Sequence, residues 1–466
     1  MRVALHPIDV ELPGDANSRY SVDWSGDAQG QMLAVARPRS VDEVRAVVAY
    51  CADKGIAVIP QGGHTGLTSG AINPKPGCLI VSLERLNAIR DIDDGNFSIT
   101  VEAGCLLQNV KDAADERDFL FPLSLGAQGS CQIGGNVATN AGGVNVLRYG
   151  MMRNLVLGLE VVLPDGSLWN GLGGLRKDNR GYDLKQLFIG SEGTLGIVTA
   201  ACLKLQPRPE VTETAYLGLD TFADAIDLFS RARRSCADLM SGFEIIGTEC
   251  IPLAREIYPE LQSPLAGDAP VHVLMEVSAS RLVPLRAMME VFLTEAMEAD
   301  LVRDAVLAAS IAQAQSFWRI REGLVEGQGR RGYHVRSDIS VRLPQIALLI
   351  EQLRAMLEGE FAGWTSQSYG HAGDGNVHFN ALPPRGLSLP EAKALGAQIE
   401  ERIFRIVEAL DGSISAEHGL GRTKRDRFAS SVEETHLAMM RTVKCAFDPA
   451  NIMNPGCILA EDEVAA

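Results

Sequence analysis

The stretch YGHAGDGNVHFN, residues 369–380, sets two of the chain's eight histidines, His371 and His378, on either side of Gly373, Asp374, Gly375 and Asn376. Those four residue types in a row favour a tight turn, so the two imidazoles can converge across it. Imidazole is a common ligand of divalent ions, and a catalytic zinc site typically combines three protein donors with one open position. Glu417, in the AEHG run after a segment read as a further strand, is the candidate carboxylate donor. His378 and Asn380 stand two apart and would share one face of a strand. An unliganded pair of core imidazoles is the alternative; the joint presence of GHAGDGNVHFN and EHG favours the ion.

Three glycine segments offer a second kind of chemistry. PQGGHTGLTSGA (60–71) follows a short β-branched strand, residues 126–150 hold seven glycines, and GSEGTLGIVT spans 190–199. Backbone N–H groups that approach a diphosphate need residues without Cβ and with access to positive φ. The loop after the strand is not a Walker A loop, because no Gly-Lys dipeptide occurs in the chain. Nor does a G-x-G-x-x-G join a strand to a helix as in a dinucleotide fold of the Rossmann type. One such loop alone would be read as turns; three together point to a large anionic cofactor held by backbone amides.

The elements that must position these groups follow from periodicity. Ser40 and Glu43 form a capping box ahead of a helix with Val41, Val44, Val47 and Val48 on one face. Strands are predicted at IAVIP, LIVSL, FSITVEAG, LVLGLEVVLPDG and LGIVTAACLKL. After Pro207 helical patterns such as DTFADAIDLFSRARRS alternate with strands such as VHVLMEVSA, an α+β order, and PEAKALGAQIEERIFRIVEAL reads as a long amphipathic helix. With 466 residues the chain exceeds one ordinary core. The division is 1–206, 207–425 and 426–466.

Net charge is −16, which argues against nucleic acid as a partner. No apolar run is long enough to span a bilayer, and the N-terminus lacks the apolar core of a signal peptide. Nine scattered cysteines without a C-x-x-C pair fit reduced thiols in a cytoplasm rather than a disulfide framework or an iron–sulfur site.

PQGGHTGLTSGA, FPLSLGAQGSCQIGGNVATNAGG, GLEVVLPDG and LFIGSEGTLGIVT together resemble the FAD-binding domain of the vanillyl-alcohol-oxidase/PCMH flavoprotein superfamily. YGHAGDGNVHFN, AEHGLGRTK and FDPANIMNPG resemble its D-2-hydroxyacid dehydrogenase branch, which includes D-lactate and D-2-hydroxyglutarate dehydrogenases. The resemblance runs over nearly the whole chain in the same order. It implies an α+β protein: a two-part PCMH-type FAD-binding domain, an α+β substrate or cap domain with an antiparallel sheet, and a C-terminal segment that returns to the flavin.

By that resemblance Gln61, Gly62, Gly63, His64, Thr65, Gly66 and Leu67 wrap the FAD pyrophosphate. Pro122, Leu123, Gly126, Gly129, Ser130, Gly134, Gly135, Asn136, Thr139, Asn140 and Gly143 line the diphosphate and ribityl stretch. Glu192, Gly196, Ile197 and Val198 lie near the adenine end and Asn454 near the isoalloxazine. His64 is the position that carries a covalent flavin bond in some members of the wider superfamily. His371, His378 and Glu417 become ligands of a divalent metal, zinc or another such as manganese, with His418 beside it as the base. Arg321 and Arg336 bind the substrate carboxylate, joined by Asn380 and His418. The implied reaction is oxidation of a small D-2-hydroxyacid to its 2-oxoacid, with electrons leaving to a separate acceptor: an electron-transfer flavoprotein, a quinone or a cytochrome. A homodimer is compatible with this reading. An FAD-dependent oxidase of alcohols or phenols using O₂, and a zinc hydrolase without flavin, are the competing readings.

Overall fold

A computed structural model of the chain describes Met1 and residues 4–13, 18–24, 26 and 28–464. Residues 2–3 and 14–17, within the N-terminal stretch read above for a signal peptide, lie outside that set. The chain divides into two compact units: residues 1–142, 150–208 and 417–466 form one, and residues 143–149 with 209–416 form the other. Contacts thus set borders near 208 and 416, where periodicity set them at 206 and 425, and they assign 143–149 to the second unit. There Arg148 donates to the backbone and side-chain oxygens of Ser278 at 2.7 and 2.6 Å.

The first unit holds two sheets. One has four strands in the order Asp9–Glu11, Ala34–Arg37, Cys78–Ser82, Ala57–Gln61, the last three mutually parallel. Helix Val41–Lys54 crosses over between parallel strands, as parallel pairing demands. Ser40 caps it by accepting from the Glu43 N–H, but the Glu43 carboxylate takes the Arg39 N–H at 2.7 Å instead of closing a full capping box. The other sheet is antiparallel, ordered Ile89–Asp93, Ser98–Glu102, Ile197–Lys204, Val156–Val162, Leu168–Gly171. Every residue of Val156–Val162 is buried, which is why that strand reads as an unbroken apolar run.

The tail returns to this unit. Val58 N–H donates to the Ile452 carbonyl at 2.7 Å and Asn454 N–H to the Val58 carbonyl at 2.8 Å, so residues 452–454 add to the edge of Ala57–Gln61. Ile452 and Met453 join the core of Val44, Val47, Val58 and Leu79.

The second unit is built on a seven-stranded antiparallel sheet, ordered Asp304–Leu307, Val211–Leu219, Val271–Ala279, Met240–Gly247, Thr365–His371, Asn376–Leu382, Ile339–Ser340. Its helices include Phe222–Cys236, Ile311–Arg331 and Leu389–Ala409. The last begins with a full capping box of Ser388 and Glu391. Among the described residues no helix is long and apolar enough to cross a membrane, and all nine cysteines are unpaired.

Candidate functional site

In the second unit, Thr365–His371 and Asn376–Leu382 pair with Tyr369 opposite His378. Between them Ala372–Asp374 form one short turn, closed by Gly375 at φ 89°. A Cβ at Gly375 would lie 2.4 Å from the Val341 carbonyl, so both the backbone angle and the space require glycine. The Asn376 N–H donates to the Asp374 side chain at 3.1 Å, a local turn bond of the kind Asp-x-Asn favours. This turn brings the His371 and His378 rings to 5.4 Å between centroids, nearly perpendicular at 85°.

The neighbouring strand Met240–Gly247 places Glu244 directly opposite His371. The Glu244 carboxylate is fully buried; Oε1 lies 2.5 Å from His371 Nδ1, and Oε2 accepts from Arg321 Nε at 2.7 Å. An ionised carboxylate only accepts, so Nδ1 carries the proton and Nε2 is the ring nitrogen with ligand character. Burial alone would raise the Glu244 pKa, but its pairing with His371 and the Arg321 guanidinium outweighs that and brings it to about 2. Arg321, itself buried, also lies over the Tyr369 ring at 4.6 Å.

Glu417 follows Ala416 by one peptide bond, and Ala416 is anchored within the second unit by donating to the Asp338 carbonyl at 3.3 Å. Asp338 in turn accepts from Asn376 Nδ2 at 2.8 Å, tying the same backbone to the histidine turn. The segment before Glu417, read as a strand, makes only an isolated bridge between Ser413 and Ser340. One ligand atom from each of His371, His378 and Glu417 lies within 4.8 Å of the others. Two imidazoles and a carboxylate, one imidazole already oriented by a buried acid, form a donor set that fits a divalent ion.

Of the residues assigned to a substrate carboxylate, Arg336 donates from Nε to His334 Nε2 at 3.1 Å, with no described partner on its terminal amino groups. Asn380 is held inward: Oδ1 accepts from Ser337 N–H at 3.0 Å, and Nδ2 donates to Gln328 at 2.7 Å and to Tyr369 Oη at 3.2 Å.

In the first unit the glycine segments meet. A Cβ at Gly63 would lie 2.1 Å from the Ser130 carbonyl and one at Gly134 2.7 Å from Ala103 Cβ, so these two glycines serve close packing, whereas one at Gly62 would make an ordinary contact with Gly135 N at 3.4 Å. By contrast a Cβ at Gly66, Gly126, Gly129 or Gly135 would meet nothing within 4 Å, leaving backbone beside open space. Two buried acceptors, Gln132 Oε1 and Asn136 Oδ1, and the ring nitrogen His64 Nδ1 have no hydrogen-bond partner among the described residues. Exposed backbone and orphaned polar atoms on the two glycine segments are what a phosphate-bearing cofactor would satisfy.

Other assigned residues have structural duties. Gln61 donates to the carbonyls of Tyr20 at 3.0 Å and Ala71 at 2.9 Å, closing the loop ends. Thr139 Oγ1 donates to the Gly135 carbonyl at 3.0 Å, and Asn140 Oδ1 accepts from Arg153 N–H at 2.9 Å. Ser130 bonds back to Ala127, Leu123 is buried, and Gly143 adopts φ 119°. Gly196 abuts Val161, while Ile197 and Val198 are buried in their strand. Asn454 donates to the carbonyls of Gly70 at 2.9 Å and Glu192 at 2.7 Å and accepts from Arg422 at 2.8 Å. The Glu192 carboxylate accepts the Leu420 and Gly421 N–H groups at 2.8 and 2.9 Å, fixing the backbone just after His418. His418's own carbonyl accepts from Thr68 Oγ1 at 3.3 Å. Spacing along the chain assigns no role to Glu244, Gln328, Tyr369 or Arg422. Their partners lie on elements far apart in the chain, where no spacing signal reaches.

Comparison with known proteins adds independent information. Residues 32–171 match the FAD binding domain family, and residues 208–458 match the family described as FAD linked oxidases, C-terminal domain. The chain is 39% identical over 450 residues to D-2-hydroxyglutarate dehydrogenase, mitochondrial, of Danio rerio, covering 95% of this chain and 83% of that one. It is 37% identical over 456 residues to D-2-hydroxyglutarate dehydrogenase of Xanthomonas citri, covering 98% and 94%. Among solved structures, p-cresol methylhydroxylase with substrate bound superposes with a TM-score of 0.76 at 16% identity, over 97% of this chain and 94% of that one.

Proposed function

Since this chain belongs to the D-2-hydroxyacid dehydrogenase branch of the vanillyl-alcohol-oxidase/PCMH superfamily and is an FAD-dependent oxidoreductase, we propose that it oxidises a small D-2-hydroxyacid with the aid of a divalent metal. The substrate class is D-2-hydroxyglutarate, D-lactate or a close analogue, and the product is the 2-oxoacid. The observation that carries this is the His371, His378 and Glu417 donor set with Glu244 behind His371.

When bound, FAD supplies the hydride acceptor and the divalent ion, zinc or manganese, makes the α-hydroxyl more acidic. The remaining work belongs to side chains. Oxidising an alcohol carbon requires the hydroxyl proton to leave as the hydride does, and His418 is the group that would take it. A carboxylate substrate needs cations in fixed orientation, and Arg336 and Arg321 are the guanidinium groups for that task. The glycine backbone from Gly62 to Leu67 and from Gly126 to Gly143 would hold the cofactor, with Asn454 and Glu192 stiffening its surround. Electrons would then pass to a separate acceptor chain or quinone, and nine reduced thiols suit a cytoplasmic setting.

The test is anaerobic flavin reduction by D-2-hydroxyacids before and after chelation. Retained flavin with reduction abolished by the chelator, and restored by added zinc or manganese, is the expected result. Reduction at an unchanged rate after the ion is stripped would instead favour a metal-free oxidase.

A further inference from the structure

One carboxylate in the second unit touches both a proposed metal ligand and a proposed substrate cation. Glu244 sits in Met240–Gly247 between Phe243 and Ile245, all three at 1% exposure or less. A charged side chain in such a strand is costly unless each oxygen is paired. Here Oε1 meets His371 Nδ1 at 2.5 Å and Oε2 accepts from Arg321 Nε at 2.7 Å, so both oxygens hold functional neighbours rather than backbone. The antiparallel register sets Glu244 opposite His371, and helix Ile311–Arg331 delivers Arg321 to the same point.

We infer that Glu244 is a positioning residue that couples the two subsites. It fixes His371 in the tautomer that presents Nε2 to a divalent ion, and it fixes the Nε edge of the Arg321 guanidinium that receives the substrate carboxylate. Binding of ion and of carboxylate are then linked through one side chain, and each strengthens the other by the same factor. The inference rests on His371 being a metal ligand.

Glutamine at this position keeps the shape but offers one acceptor oxygen, so it cannot hold both partners. The flavin-loaded Glu244→Gln protein should bind Zn²⁺ about 10–100-fold more weakly than the parent in competition with a chromogenic chelator, because outer-shell partners carry that much of a metal site's affinity. Flavin content should be unchanged. At saturating Zn²⁺ its KM for the D-2-hydroxyacid should rise more than its kcat falls, since Arg321 loses its anchor. Glu244→Asp, which keeps both oxygens on a shorter stem, should fall between the two and serves alone if the glutamine variant does not fold. Zn²⁺ affinity within twofold of the parent in either folded variant would overturn the coupling and leave the functional reading standing. A parent that binds Zn²⁺ no better than His371→Ala would remove both.

Discussion

At the scale of single residues, the roles proposed for His418 and His371 separate cleanly by experiment. His418 has its carbonyl tied to Thr68 and its following amides tied to Glu192, so trimming the imidazole leaves the backbone anchored. His418→Ala should therefore retain flavin yet lose its reduction by substrate by about 10²–10⁴-fold, the usual worth of a general base; rapid-mixing absorbance showing normal reduction would contradict the role. His371→Ala should lose the ion, read as metal per chain by elemental analysis. His272, outside this site, makes a different prediction. It is buried, neither ring nitrogen has a hydrogen-bond partner among the described residues, and burial, helped by the Arg255 charge, lowers its pKa to about 4. The ordinary value is near 6.5, so the unfolded chain binds the extra proton first as pH falls. His272 thus costs no stability above pH 6.5 and progressively more from there down to about 4. Between pH 7 and 5 the parent should lose about 2 kcal/mol that His272→Phe does not, measured by denaturant unfolding at both pH values. The histidine turn was legible because both donors sit in one short segment. Glu244 was not, since its partners are 127 and 77 positions away and meet it only through strand register and helix placement.

Whole elements show why some parts of the fold could be read and others not. The strand at VHVLMEVSA is Val271–Ala279, residue for residue: eight of its nine residues are buried and six are apolar. The FDPANIMNPG tail is legible as a motif, but its pairing with Ala57–Gln61 is a contact across almost the entire chain. Positive φ at Asn451 and Asn454 shapes that return, and Asn tolerates this conformation better than most residues. Met453 is completely buried where the tail enters the core. Met453→Ala should cost about 2–5 kcal/mol in folding stability by the combined loss of apolar burial and creation of a cavity. A denaturation midpoint indistinguishable from the parent would show that the tail adds little to the first unit. Residues 143–149 gave no such cue: they lie inside the glycine-rich 126–150 run without a composition shift, and their place with the second unit comes from contacts such as Arg148 with Ser278.

For the molecule as a whole, two units supply different chemistry: glycine backbone with orphaned polar atoms in the first, and the oriented histidine pair with buried Glu244 and Arg321 in the second. Overall charge of −16 adds no attraction for an anionic hydroxyacid, so on the proposed reading its recognition falls to local cations such as Arg336. The fold class was legible from motif order along the chain, while the substrate was not, because residues that contact its distal end are set by side-chain placement rather than by pattern. The central claim is that a D-2-hydroxyacid reduces the bound flavin with a divalent ion in place. Stopped-flow bleaching of the flavin bands, under anaerobic conditions, should be run against D-lactate, D-2-hydroxyglutarate, D-malate, glycolate and D-mandelate, each with and without prior chelation. Rapid bleaching by at least one of these, abolished by the chelator and restored by Zn²⁺ or Mn²⁺, is the predicted result. Flavin that stays oxidised with every member of the panel, or bleaches equally fast once the ion is gone, would contradict it.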